Sequence, residues 1–274
     1  DLEGLYNESK IIYNRSVRWD PFVGGASGAN EKVEAGTLGG IVYDKYGTPF
    51  ILSNNHVLCN VNTKNQINSP IGAAIIQPSI ADSGSIFDTI GRLHQYVPID
   101  TEDTNLCDCA IASLDENTTY SDYVIGKYDN EFMRISGVSV VNIGDKVKKY
   151  GRTTGYTEGK VENIDFSTLS SYDNSEAIFV DQILVDIEAD EGDSGSLLLD
   201  KNNNVVGLIF ATCNIEGKSY AIANKIRNVL ASLDIDFYEG DSISTPTTVP
   251  SVIAKSGVGI FILYFAYKLL NRRS

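Results

Sequence analysis

Ten short apolar runs, each closed off by turn-forming residues, constrain this chain more than any other feature. They lie at 38–43, 49–53, 73–77, 90–96, 110–114, 146–150, 160–164, 178–187, 196–199 and 205–211. Each alternates in polarity or is rich in Ile, Val, Tyr and Thr, the pattern of a pleated, half-buried surface. Short strands at this spacing, with glycine and Asn-Asn turns between them, build barrels or sandwiches. Helical periodicity is scarce and surfaces clearly at 224–236. There Asn224 stands in a capping place before Ile226, Val229, Leu230 and Leu233, spaced i, i+3, i+4, i+7. The expectation is an all-β protein with one closing helix.

Three polar strings interrupt the apolar pattern: Ser53-Asn54-Asn55-His56-Val57-Leu58, Cys107-Asp108-Cys109-Ala110 and Glu191-Gly192-Asp193-Ser194-Gly195-Ser196. A serine hydroxyl is a poor nucleophile at neutral pH and needs a base within hydrogen-bond reach. Histidine suits that role near neutrality, and a buried carboxylate holds its tautomer and steadies the imidazolium. The candidate constellation is therefore His56, Asp108 and Ser194. Both histidines of the chain, His56 and His94, precede Ser194. That order excludes the α/β-hydrolase arrangement, whose histidine follows its serine. His94 reads as a strand-surface residue. Asp108 is preferred over Asp100, Asp103 and Asp115 because it opens an apolar strand, where burial beside a histidine is expected. Glycines at 192 and 195 permit a sharp turn. Such a turn can aim the N–H groups of Gly192 and Ser194 at one point, as an oxyanion hole requires.

Five strings in register extend the pattern: Gly36-Thr37-Leu38-Gly39-Gly40-Ile41-Val42, Ile51 through Leu58, Ile76-Gln77-Pro78, Val147 through Gly155, and Gly192 through Ser196. Together they resemble the trypsin-like peptidases related to the plant narrow-leaf protein, a family also found in bacteria. The resemblance covers roughly residues 24–233. It implies a chymotrypsin-like double six-stranded β-barrel, with His56, Asp108 and Ser194 as a catalytic triad. The corresponding division is an N-terminal segment at 1–35, a first barrel at 36–134 carrying His56 and Asp108, and a second barrel at 135–237 carrying Ser194 and its closing helix. It also implies substrate contacts at Ala211 and Thr212. Glu188, six residues before Ser194, stands near where trypsin relatives place a pocket carboxylate; a solvated strand face explains it more simply. In many trypsin relatives a serine in the strand after the nucleophile helps hold the triad aspartate. Phe210 stands at the matching place here, leaving Asn54, Asn55 or Thr212 as substitutes. Phe22-Val23-Gly24-Gly25 faintly resembles the new N-terminus of an activated trypsin zymogen, but constitutive assembly is the favoured reading.

The formal net charge of −14 argues against a nucleic-acid partner, which requires clustered Lys and Arg. Protein or peptide is the expected substrate. No cofactor and no metal is called for, since Cys59, Cys107, Cys109 and Cys213 lack strong ligand spacing and read best as free buried thiols. Residues 238–251 have linker composition. After them, 252–270 is the most apolar stretch, with Lys255 and Lys268 near its ends. Nineteen helical residues span roughly 28 Å, enough for a bilayer core. Attachment to a membrane through 252–270 is therefore expected, a soluble cytoplasmic protein being the alternative. Lys268, Arg272 and Arg273 would place the C-terminus in the cytoplasm and the barrels across the membrane. Two functions stay open on the sequence: a serine endopeptidase, or a protease-fold scaffolding or binding module with vestigial activity.

Overall fold

A computed structural model describes residues 17–128, 131–172 and 175–237, together with the backbone of 251–254. All ten apolar runs lie in strands, arranged mainly in two sheets. The first sheet has seven strands, in the order Ile235–Asp236, Gly40–Asp44, Pro49–Ser53, Ala110–Leu114, Thr89–Tyr96, Ala74–Ile76, Ala29–Asn30. Its central antiparallel ladder pairs Ser53 with Ala110. That register sets the end of one strand beside the start of the other. The helical turn Asn55–Leu58, which carries His56, thus emerges at the same sheet end as Asp108.

The second sheet closes on itself. Lys146–Gly151, Gly155–Tyr172, Ser175–Asp186, Lys218–Lys225, Asn204–Ile215 and Leu197–Asp200 pair in turn, and the last pairs back with the first. Ser194 lies on the turn that feeds Leu197–Asp200. Two of these strands overshoot the barrel: Gly155–Tyr172 and Ser175–Asp186 form a hairpin arm whose outer half exposes polar residues together with Leu169 and Ile178. Only 160–164 of the first arm strand stands out in the sequence, because the rest has no apolar period: Phe166 and Tyr172 pack against a buried cluster from among polar neighbours. Strand Lys218–Lys225 is likewise absent from the sequence reading.

Two expectations are corrected. The helix runs Ile226–Leu233 and its N-cap is Lys225; Asn224 is fully buried and lies within the preceding strand Lys218–Lys225 instead of capping. Tertiary demand wins over capping preference: the Asn224 amide donates to Gln182 Oε1 at 2.7 Å, and its oxygen accepts the Asp108 N–H at 3.1 Å. The helix's apolar face joins the large core cluster that holds Ile41, Leu52 and Ile111 of the first sheet, and Ile235–Asp236 then adds to that sheet's edge. The closing helix therefore ties the chain's end to the first sheet as well as to the second.

The other correction concerns the tail. The sequence predicts that Val252–Ala254 open an apolar helix, but Ser251–Ala254 is a strand paired antiparallel with Val17–Asp20. A backbone ladder along Val17–Asp20, an exposed edge without it, satisfies these groups. The remainder of the expected span, 255–270, and linker residues 238–250 lie outside the described residues. Among the described residues no helix is long and apolar enough to cross a membrane.

Between the sheets runs a bidentate ion pair. Arg152, following Lys146–Gly151, donates Nε to Asp82 Oδ2 at 2.8 Å and Nη2 to Asp82 Oδ1 at 2.9 Å. Ser27 donates to the same carboxylate at 2.6 Å. Planar fork-to-fork pairing of this kind fixes orientation as well as distance.

Candidate active site

His56 and Asp108 meet as the strand register requires. The imidazole Nδ1–H donates to Asp108 Oδ2 at 2.6 Å, and the His56 backbone N–H donates to Oδ1 at 3.2 Å. Asp108 is fully buried, whereas the His56 side chain keeps 21% of its exposure. A base with one face on a buried carboxylate and the other reaching solvent is arranged to exchange protons. Asp108 is held at its backbone too: Asn54 Nδ2 donates to its carbonyl at 2.8 Å, and Asn224 accepts its N–H. Asn54 thus supports Asp108, though through the main chain. Asn55 instead donates to Asn62 and Val97 carbonyls, and Thr212 is exposed. The third donor to the carboxylate is one the sequence does not single out: the Tyr172 hydroxyl, at 2.9 Å from Oδ2.

The rival residues are engaged elsewhere. Asp100 pairs with Lys64, Asp115 with Arg92 at 3.6 Å, and Asp103 caps the Thr104 N–H at 2.7 Å. His94 is exposed and stacks on Phe50, with ring centroids 4.6 Å apart.

Ser194 sits on a turn shaped by two glycines with positive φ, Gly192 at 92° and Gly195 at 96°. A Cβ at Gly195 would stand 1.9 Å from the Thr37 carbonyl oxygen, so no other residue fits there. Thr37 clamps this turn from the first sheet side: its hydroxyl donates to the Gly192 carbonyl at 2.7 Å, and its N–H to the Ser194 carbonyl at 2.9 Å. The Glu191 carbonyl accepts the Thr153 hydroxyl. In a trans peptide C=O and N–H point oppositely, so this bond turns the Gly192 N–H the other way. Among the described residues the N–H groups of Gly192 and Ser194 donate to nothing, while their neighbours Asp193, Gly195 and Ser196 donate to carbonyls. Two unspent donors flanking a serine form an anion-binding corner. The Ser194 hydroxyl itself donates to the Phe210 carbonyl at 3.3 Å, not to His56. Nucleophile–base contacts of this type tighten when substrate is in place.

Beneath the turn Asp193 is fully buried and paired with the fully buried Lys149, Nζ to Oδ2 at 3.3 Å. It also accepts from the N–H groups of Thr153 at 2.8 Å, Thr154 at 3.1 Å and Asp190 at 3.0 Å, and from the Thr154 hydroxyl at 2.7 Å. Burial pushes the Lys149 ammonium below its ordinary value, opposed by the Asp193 charge. An internal lysine neutralises the aspartate beside Ser194, and Phe22–Gly24 lies within a strand paired to Tyr120–Ile125. No released N-terminus is needed to assemble this turn.

Glu188 is exposed; its carbonyl accepts the Thr157 hydroxyl at 2.9 Å. Ala211 is half-buried and Thr212 exposed, on a strand whose residues 211–215 pair with Lys218–Lys225 on one side only. All four cysteines are free; Cys107 and Cys109 approach to 3.3 Å behind Asp108. Burial raises the Cys109 and Cys59 thiols well above their usual range. Among the described residues no group of His, Cys, Asp and Glu side chains is arranged to hold a metal ion.

The Lys149–Asp193 pair is testable directly. Lys149→Met strands a buried carboxylate, and the expected loss of unfolding free energy is about 3–5 kcal/mol in denaturant titrations. A loss within error of zero would mean that the hydrogen bonds alone carry Asp193.

A model of the trypsin-like peptidase domain matches residues 36–208. No curated protein sequence matches the chain significantly. Among solved structures, the chymotrypsin of Cellulomonas bogoriensis aligns with a TM-score of 0.58 at 17% identity, over 80% of this chain and 98% of that one. The Nocardiopsis protease NAPase aligns at 0.57 and 18% identity, over 78% and 97%. A glutamic-acid-specific serine protease, described as using a histidine triad in substrate binding, aligns at 0.60 and 16% identity, over 79% and 100%. These likenesses are of fold. With the family model spanning more than half its length, the chain belongs to the trypsin-like peptidase domain family.

Proposed function

We propose that the protein is a serine endopeptidase working through an acyl-enzyme. The observation that carries this is the joining of a buried carboxylate to His56 in one sheet, together with a glycine turn in the other that offers Ser194 between two unspent N–H donors. In this reading His56 Nε2 takes the Ser194 proton as Oγ attacks the scissile carbonyl. Asp108 keeps Nδ1 protonated and offsets the imidazolium charge. The oxyanion of the tetrahedral intermediate is stabilised by the N–H groups of Gly192 and Ser194. His56 then protonates the leaving amine, and water repeats the sequence on the ester. The unpaired edge of 211–215 supports binding of an extended peptide by strand addition at Ala211 and Thr212. The five sequence strings further support kinship with the narrow-leaf relatives within the family.

A fluorophosphonate probe is expected to label Ser194 in the wild type, and Ser194→Ala is expected to lose both label and peptide cleavage, by roughly 10⁴-fold or more. Labelling at another residue, or none in folded protein, sinks the proposal. Thr153→Val frees the Glu191–Gly192 peptide, so kcat is expected to fall by up to about 10²-fold with KM little changed; an unaltered kcat would mean that the Gly192 N–H is not used. Profiling a peptide library with wild type and Glu188→Gln reads whether Glu188 selects basic side chains or is only a solvated carboxylate.

One observation favours the second reading, a protease-fold scaffold: the Ser194 hydroxyl is spent on the Phe210 carbonyl. Full rescue of the biological role by Ser194→Ala would select it. Membrane attachment through the apolar residues within 252–270 is proposed on sequence grounds. Carbonate extraction of the full chain tests it: retention in the pellet is expected, and release to the supernatant removes the anchor.

A further inference from the structure

Phe210 leaves Asp108 without a hydroxyl donor from the strand after the nucleophile, yet the carboxylate is not short of partners. Tyr172 supplies the bond, and it does so from an unexpected direction. It is the last residue of Gly155–Tyr172, near the tip of the arm that leaves the second barrel, and it meets a carboxylate belonging to the first sheet.

Three contacts seat the arm. Phe179, fully buried, packs against Phe210 with ring centroids 4.8 Å apart. Ile99, Ala177, Leu184 and Ile222 join them in one buried apolar cluster, and Tyr172 packs against it. Thr104–Asn105 pairs in parallel with Ile178–Phe179, and Asn105 Nδ2 donates to the Ile178 carbonyl at 3.1 Å. That last link lies just before Cys107 and Asp108 in the chain. The Phe210 side chain is therefore the floor on which the donor-bearing arm rests.

We infer that Tyr172 is a positioning residue for the His56–Asp108 pair, its hydroxyl holding the carboxylate in the rotation that presents Oδ2 to His56. The inference rests on the peptidase reading. A fully buried carboxylate needs every acceptor site it can satisfy. Oδ1 takes the His56 N–H, and Oδ2 takes both Nδ1–H and the phenol. With the phenol gone, Oδ2 keeps a single hydrogen-bond partner among the described residues, and the carboxylate loses its donor from the second barrel. A phenol is well suited to this position. Its ring is rigid, and burial, reinforced by the Asp108 charge, raises its pKa well above the usual value. It therefore stays a neutral donor throughout the range in which a histidine base works.

Tyr172→Phe keeps the ring and removes only the hydroxyl. Steady-state kinetics on a cleaved peptide should show kcat reduced about ten-fold with KM unchanged, while the thermal midpoint moves little. The low-field proton resonance of His56 Nδ1–H, assigned in a His94→Gln background, should shift. Phe179→Leu trims the ring that seats the arm on Phe210 and leaves the Asn105 bonds of the segment leading into Asp108 in place. It should lower kcat in the wild type and add nothing in Tyr172→Phe, the non-additivity of residues acting through one bond. Unchanged kcat and an unmoved resonance overturn the inference, as does a rise in KM alone, which would make Tyr172 a wall of the substrate path. Additive losses in the double variant overturn it as well. The resonance is readable in protein that cleaves nothing, so failure of Ser194 labelling in the wild type counts against the peptidase reading and leaves the Tyr172 test intact.

Discussion

The buried carboxylate of Asp193 is the interaction on which the rest of the site hangs. A lone charge removed from water costs several kcal/mol even after relaxation. Asp193 meets that cost with the Lys149 ammonium, three backbone N–H groups and the Thr154 hydroxyl. Because it immediately precedes Ser194, satisfying it dictates the course of the chain around the serine. The strand end at Lys146–Gly151 and the Arg152–Thr154 segment become a mould for the Gly192–Gly195 turn. Arg152 in turn grips Asp82, on the 3-10 turn Ile80–Asp82 between two strands of the other sheet. The turn is thus fixed by charges that lie wholly within the folded chain.

Asp108 obeys the same rule with a different result. Asp193 is saturated by groups that cannot move, which makes it structural. Asp108 gives one oxygen partly to the His56 imidazole, whose other face reaches solvent. A buried carboxylate that shares its acceptor with a partly exposed imidazole can do chemistry; one enclosed by peptide N–H groups holds shape. The two aspartates are equally plain in sequence, and only their donors separate their roles.

Legibility follows how local each cause is. His56, Asp108 and Ser194 stand in strings whose turn glycines and flanking apolar strands are contiguous, so residue order alone proposes them. The strands with alternating apolar faces are legible for the same reason. Tyr172 lies 64 residues from Asp108, in a Ser- and Thr-rich run with no apolar period. Only the register of the arm brings them together. Lys149 does carry a usable signal: it follows Val147 by two, so strand alternation puts it on the buried face, unlike the exposed Lys146. Asn224 misleads because a residue suited to capping is also suited to a buried amide bridge, and the sheet pairing of Lys218–Lys225 decides between them.

Phe210 links these observations. At a position where a serine would serve the aspartate from within the second barrel, an aromatic ring instead holds an arm that delivers a donor from farther away. A donor on a barrel strand depends on that strand alone. A donor at the end of an arm depends on the arm's docking, and through Asn105 on the segment that leads into Asp108 itself. The alignment of the His56–Asp108 pair therefore depends on how the two sheets sit together. The contacts that fix this are already in place: Arg152 on Asp82, Thr37 on the Gly192–Ser194 turn, and the closing helix in the core shared with the first sheet.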